Sequence, residues 1–329
     1  MRRREFIAGI GGAVAWPLMA RAQQPTLPTV GLLNGVSFEG PYAAPVIAIR
    51  QGLQEAGFVE GQNLAIEYRT ADGAYERLPD LAADLVHRGA AVIIAIGAPR
   101  VALAATGALT SVPIVFATGS DVVEVGVVDG LDRPEADATD VSLATAGPAA
   151  RRLELLLDLR PGASSSVGYL DNSRASGTFE ANVANVTEMA RAKRRELAVF
   201  DAGTEREVEA AFIGMALRRI RSLVVAPDAF LITRQEQIIE LAAEQRLPTI
   251  YATRGAVLRG GLMSYGALTN DMYRSAGTYA GRILKNVTSA ASPLMPPARF
   301  EFVINKTTAN ALRITVPKQL LARADEIFG

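Results

Sequence analysis

The sequence predicts an α/β protein made of two lobes, each built on a parallel sheet. Three observations carry this. First, Ser222 to Gly266 reads strand, loop, helix, strand, loop, strand. Its apolar runs are Leu223-Val224-Val225-Ala226-Pro227-Asp228, Leu247-Pro248-Thr249-Ile250-Tyr251-Ala252-Thr253 and Gly260-Gly261-Leu262-Met263-Ser264-Tyr265-Gly266. Ile232, Ile238, Ile239, Leu241 and Ala242 stand at helical spacing between the first two. Second, the same alternation runs along nearly the whole chain. Third, the halves match. Ala91 to Ala98, a helix and Val112-Pro113-Ile114-Val115-Phe116-Ala117-Thr118 answer to Leu223 to Ala229, a helix and Leu247 to Thr253. Both second runs read Pro-x-(Ile/Val)-aromatic-Ala-Thr, which places two lobes of like topology across a cleft.

In order, Thr29 to Gly35 is the first strand, running into a loop. Tyr42 to Ala56 is a helix with Val46, Ile49, Leu53 and Ala56 on one side, stopped at Gly57. Asn63 to Arg69 alternates polar and apolar, as a strand near a sheet edge does. Tyr75 to Arg88 is a helix. Ala91 to Gly97 is apolar on both faces and therefore a buried strand. Val101 to Gly107 is helical, and Val112 to Thr118 is a strand. The pattern loosens from Leu131 to Val141, then restarts. Ala149 to Leu159 is a helix, Ser166 to Asn172 a strand, Gly177 to Arg191 a helix, Glu196 to Phe200 a strand and Glu205 to Ile220 a helix. Past Gly266 come a helix from Asp271 to Lys285, the proline-rich Ser292 to Pro297, a strand from Phe300 to Asn305, and helices at Lys306–Leu312 and Pro317–Ile327.

Composition excludes several chemistries. The 329 residues balance 34 basic against 34 acidic side chains, without the basic excess a nucleic-acid partner normally requires. The chain has no cysteine, so disulfides, thiol nucleophiles and thiolate metal sites are out. Its one histidine, His87, makes a histidine-based zinc site untenable. His87 ends a helix, a capping or solvated position. No Gly-x-Ser-x-Gly elbow and no phosphate-binding loop occurs. No metal, cofactor or catalytic set is therefore expected.

The N-terminus reads as an export signal. Arg2-Arg3-Arg4-Glu5-Phe6-Ile7 is a basic start, Ala8 to Met19 a small apolar run, and Ala20-Arg21-Ala22 a small-x-small cleavage site. Arg3-Arg4-x-Phe6-Ile7 fits the twin-arginine type. Residues 1–22 are read as signal peptide, with cleavage after Ala22 and release to the periplasm. Removal takes away four arginines and one glutamate, leaving a mildly acidic chain.

Ligands of parallel sheets collect at the carboxyl ends of strands. There the sequence offers Asn34, Gly97-Ala98-Pro99, Thr118-Gly119, Asp171-Asn172 and Asp228. Gly97 to Pro99 lies where backbone N–H groups can receive a carboxylate. Asp171, Asn172 and Asp228 can hold an amine or hydroxyls. Phe38, Tyr42, Phe230 and Tyr265 are candidate walls. Asp121, Asp171 and Asp228 all follow strands, where Asp is more often a helix cap or turn residue than a catalyst.

Gly57-Phe58-Val59-Glu60-Gly61-Gln62-Asn63 with Ile66-Glu67-Tyr68-Arg69, Arg77-Leu78-Pro79 with Leu81-Ala82-Ala83-Asp84-Leu85-Val86, Val112 to Phe116, Gly260 to Gly266 and Leu320 to Glu326 together resemble the ABC transporter substrate-binding protein family that includes tryptophan- and tyrosine-binding proteins. The resemblance spans nearly all of the mature chain. It implies a type I periplasmic-binding-protein fold, two Rossmann-like lobes with parallel sheets joined by three hinge crossings, near Val141, Gly266 and Arg299. The lobes would be 29–141 plus 267–298, and 142–266 plus 299–329. It further implies a solute-binding subunit feeding an ABC importer, with a small molecule in the cleft and a membrane permease as partner. The ligand expected is an amino acid or small aromatic carboxylate. Two departures stand out. Members often carry Arg-Pro-Gly-Gly-Asn-x-Thr-Gly before the first crossing, where this chain has Arg133-Pro134-Glu135-Ala136-Asp137-Ala138-Thr139-Asp140. They often have Asn-Pro where this chain has Asp171-Asn172-Ser173. A ligand-presenting sensor subunit and, more remotely, a secreted enzyme using cleft carboxylates are the competing readings.

Overall fold

A computed structural model describes residues 27–108, 112–118, 138–140, 148–159, 166–174, 179–286 and 300–329. The signal segment, Gly119, Asp121, the Pro-rich 292–297 stretch and the expected crossings at Val141 and Arg299 lie outside them.

The first sheet carries β1 (Thr29–Asn34), β2 (Ala65–Thr70), β3 (Ala90–Gly97), β4 (Ile114–Thr118) and β5 (Ala138–Asp140), in spatial order β2-β1-β3-β4-β5, all parallel. Its helices are α1 (Ala43–Glu55), α2 (Leu78–His87) and α3 (Pro99–Gly107). β3 is a central strand, as its two apolar faces require, and β2 is the edge its alternation predicts. One face buries Val30, Leu32, Val92 and Ile94 under Ile49 and Leu53 of α1. The other buries Leu33, Ile93 and Phe116 under Leu78, Leu85 and Val101.

The second unit continues with α4 (Pro148–Asp158), β6 (Val167–Asp171), α5 (Phe179–Ala192), β7 (Leu197–Asp201), α6 (Glu205–Leu217), β8 (Ser222–Val225), α7 (Ala229–Thr233), α8 (Gln235–Glu244), β9 (Thr249–Tyr251), α9 (Arg254–Leu258) and β10 (Met263–Ala267). Thr204 begins α6 as its N-cap, its hydroxyl accepting from the Glu207 N–H. The second sheet runs β7-β6-β8-β9-β10, the same 2-1-3-4-5 order as the first. The repeat legible in the two Pro-x-(Ile/Val)-aromatic-Ala-Thr strands is thus a repeat of topology, β4 answering to β9.

After β10 the chain passes Leu268 into α10 (Thr269–Leu284), which packs on α1 of the first unit. It returns as β11 (Phe300–Asn305), antiparallel to β10, then α11 (Lys306–Ala311), α12 (Lys318–Leu321) and β12 (Glu326–Phe328), parallel to β11.

Three expectations need correction. The spacing predicts a last helix from Pro317 to Ile327. The helix stops at Leu321, because Asp325 pairs with Phe302, its N–H donating to the Phe302 carbonyl at 2.8 Å and its carboxylate accepting from the Phe302 N–H at 2.7 Å. That pairing draws Glu326–Phe328 into the sheet. The helix read from Ile232 starts earlier, at Ala229 under the Asp228 cap, and divides at Arg234. The short helix α9 carries too few residues for periodicity to reveal it.

Candidate functional site

In sheets of this order the crevice lies where the strand order reverses. In the first unit that point is between β1, ending at Asn34, and β3, ending at Gly97. In the second it is between β6, ending at Asp171, and β8, which runs into Ala226-Pro227-Asp228.

On the first side Asn34 is fully buried, and neither atom of its amide has a hydrogen-bond partner among the described residues. Gly97 has φ +93°, and a Cβ there would stand 3.2 Å from Asn34 Oδ1 and 3.5 Å from the Tyr42 hydroxyl. Glycine is needed at Gly97 for both reasons. At Gly35 a Cβ would stand 2.5 Å from the ring of Tyr75, whose buried hydroxyl also has no partner among the described residues. Ala98 is buried at the start of α3, and Pro99 is the helix's first residue. Thr118 ends β4.

On the second side three buried polar residues are joined. The Asn172 N–H donates to Asp171 Oδ1 at 2.8 Å, and the Tyr169 hydroxyl donates to Asp171 Oδ2 at 3.1 Å. Asn172 Nδ2 donates to Asp228 Oδ1 at 3.3 Å. Asp228 also caps α7, accepting from the Leu231 N–H at 3.0 Å. Burial pushes both carboxyls up to about 6. The neighbouring Asp228 charge pushes Asp171 further the same way, while the Asn172 N–H, Tyr169 and Arg152 pull it back. At Asp228 the amides of Leu231, Phe230 and Ala229 and the Asn172 side chain oppose burial. The cap reading of Asp228 is therefore correct, and the same carboxylate also reaches the Asn172 side chain at the strand ends.

The two sides meet. Burial raises the Tyr42 and Tyr75 hydroxyls, and the negative charge of Asp228 raises both further. Ala229 lies within the first unit's apolar core and Ile232 packs against it. Asp228, on the second unit, thus faces the tyrosines of the first.

The other aromatic candidates pack closer to their own sheets. Phe38 stands edge-on to Tyr68 of β2 at 5.4 Å. Phe230 lies under the Arg234 guanidinium at 5.8 Å and against the second core. Tyr265 stacks on Phe300 at 5.4 Å. His87 stands at the end of α2. Among the described residues no group of three His, Asp or Glu is placed to hold a metal, and no helix is long and apolar enough to cross a membrane.

Sequence reasoning does not single out Tyr75 or Arg152. For Arg152 a signal exists. It stands three, four and seven residues before Leu155, Leu156 and Leu159, on the apolar stripe of α4 where an arginine is out of place. It is 2% exposed. Tyr75 opens a helical turn, and only the fold brings it over Gly35.

A family model described as ABC transporter substrate binding protein matches residues 30–328. The tyrosine-binding protein of Clostridioides difficile (strain R20291) is 25% identical over 262 residues, 80% of this chain and 74% of that protein. A conserved domain protein from Vibrio cholerae O1 biovar eltor superposes with a TM-score of 0.81 at 25% identity, covering 92% of this chain and 100% of that one. The ABC domain from Streptococcus pneumonia, solved in complex with L-Trp, superposes at 0.79 with 21% identity and the same coverage of both chains.

Proposed function

We propose, since the chain belongs to the ABC transporter substrate binding protein family, that it is the periplasmic capture subunit of an importer and that its ligand is a zwitterionic amino acid with an apolar or aromatic side chain. Members of the family bind small molecules and work with transporter permeases. The observation that carries the ligand class is the pairing of two kinds of buried polar group at the switch points: Asn34 at the end of β1, and Asp171 with Asp228 at the ends of β6 and β8. A buried amide with both atoms unpartnered among the described residues calls for a donor and an acceptor from a guest. Two buried carboxylates call for a cation. An α-ammonium meets the acids, and an α-carboxylate meets the N-terminal end of α3, where Arg100 is close enough for its charge to lower the Tyr75 hydroxyl. An aromatic carboxylate without an amine would bring a second anion to an acidic floor, so the amino acid is preferred. The tyrosine- and tryptophan-binding relatives support this choice.

In this reading the lobes are 29–141 with 267–298, and 142–266 with 299–329. The ligand bridges both, and closure gains contacts the open form lacks. The ligand leaves unaltered. Export uses the twin-arginine segment, with cleavage after Ala22. The test is calorimetry of the mature chain with L-tryptophan and L-tyrosine, followed by recovery of the ligand. One-to-one binding with unchanged ligand is expected. Failure of a full set of amino acids to bind, or conversion of the bound one, overturns the reading.

The carboxyls add a pH signature. Both sit at about 6 in the folded chain against an ordinary 3.8. The ligand-free fold is therefore favoured by their protonated forms. That contribution is full below about pH 4 and is lost as pH rises through 6, by about 3 kcal/mol per carboxyl at most. Ammonium binding needs the ionised forms, so affinity is expected to fall as pH drops through 6, by up to about tenfold per unit for each proton displaced. The two trends oppose, and the thermal shift given by L-tryptophan should grow from about pH 4.5 to about pH 7.5. A flat shift would detach the acids from binding.

A further inference from the structure

Arg152 is an arginine buried in the second core. Its side chain is enclosed, its Nη1 donates to the Tyr265 carbonyl at 3.1 Å, and its Nε has no partner among the described residues. Among the described residues no carboxylate lies within ion-pair distance of it. The ionisable groups that feel it are Tyr169 and Asp171 on β6 and Tyr265 on β10. On its own helix, Arg151 pairs outward with Glu154, which also holds Lys193 beyond α5 at 3.2 Å. From β9 the Tyr251 hydroxyl is turned to Thr249. The charges of Asp228 and Arg152 act on Asp171, and Asp201 of β7 stands opposite it in the strand register.

A buried guanidinium without a carboxylate in direct contact is costly unless a nearby charge compensates it. Two like carboxylates in one buried cluster resist ionising together for the same reason. Each excess answers the other. We propose that Arg152 is a positioning residue for ligand recognition: it is the counter-charge that lets Asp171 and Asp228 be ionised at once, leaving the floor with a net charge of one negative unit for one ligand ammonium. The Tyr265 carbonyl holds the guanidinium inside the protein, so it offsets charge while staying buried. The ligand half of this inference rests on the amino-acid reading above; the charge-balance half does not.

The experiment compares Arg152→Met, which keeps an apolar stem without charge, with Arg152→Lys, which keeps the charge. Two profiles are read for each: Tm against pH without ligand, and L-tryptophan affinity against pH by calorimetry. Arg152→Met should move the pH at which ligand-free Tm stops falling upward by about one unit or more. The acid limb of tryptophan affinity should shift by the same amount, weakening binding roughly tenfold near pH 6.5. Arg152→Lys should restore most of both. If Arg152→Met leaves both profiles in place, or if both variants lower Tm uniformly across pH, Arg152 only fills space and the inference is overturned. If the unmodified protein fails to bind tryptophan or any amino acid, the functional reading falls, and the ligand-free Tm profile alone decides the role of Arg152.

Discussion

Asp228→Asn is expected to weaken binding of L-tryptophan or L-tyrosine about 100-fold or more near pH 7.5 while leaving the fold intact. The substitution separates the two roles of this residue. Asn caps helices about as well as Asp, so an oxygen still accepts the Leu231 N–H and α7 keeps its start. Side-chain volume is nearly unchanged, and so is the docking of Ala229 and Ile232 on the first core. Only the charge is lost. Removing one partner of a buried charged pair costs about 2–5 kcal/mol, and 100-fold corresponds to about 2.7 kcal/mol. Ligand-free stability should hold or rise, because burial disfavours the ionised carboxyl that the change removes. Asp228→Ala, in contrast, loses cap and charge together and should lose about 1 kcal/mol of stability as well as affinity. Calorimetry with thermal melts of both variants checks this. Affinities close to that of the unmodified protein would place the ammonium elsewhere.

The fold is legible because its signals are local. Apolar β3, alternating β2 and the Pro-x-(Ile/Val)-aromatic-Ala-Thr repeat each state their position in a sheet without reference to the rest of the chain. Their carboxyl ends then name Asn34, Gly97, Asp171 and Asp228 by rule. Less accessible is what stands opposite. Tyr75 reaches the site only because Gly35 yields room, a fact of three dimensions. Arg152 is masked by Arg151 beside it: one of the pair faces water, the other the core, and only the leucine spacing tells them apart. Glu326–Phe328 misleads because Leu320-Leu321 starts a helix and the residues after it are drawn into the sheet by Asp325 on Phe302, a contact 23 residues distant. Residue type alone marks the aromatic candidates. Phe38, Phe230 and Tyr265 find partners near their own sheets, as large rings adjoining cores generally do.

A large stability effect is expected at Gly277, where two helices cross. Gly277→Ala should destabilise the protein by about 3 kcal/mol, although alanine is the better helix former by about 1 kcal/mol. The reason is the crossing of α10 over α1. A Cβ at Gly277 would collide with the Ile49 carbonyl oxygen, 2.9 Å from its carbon and 3.0 Å from the Leu53 nitrogen. Reciprocally, one at Gly52 would collide with the Arg274 carbonyl and stand 2.7 Å from the Thr278 nitrogen. These neighbours are backbone, so no rotamer change relieves them. The helices must part, and Ile49 and Leu53 then lose their packing on Ala276, Tyr279 and Ala280. The Arg274–Glu55 ion pair at 2.8 Å spans the crossing but is about half exposed on both sides and cannot compensate. α10 follows directly on the Leu268 passage out of the second sheet, so its grip on α1 is what fastens the first unit to that passage. Gly107, where an added methyl would meet nothing within 4 Å, is the control: Gly107→Ala should be neutral or slightly stabilising. Urea unfolding of the two variants separates the cases. Equal midpoints would mean that the backbones of α1 and α10 are not in contact, and that the small residues at Gly52 and Gly277 serve no packing purpose.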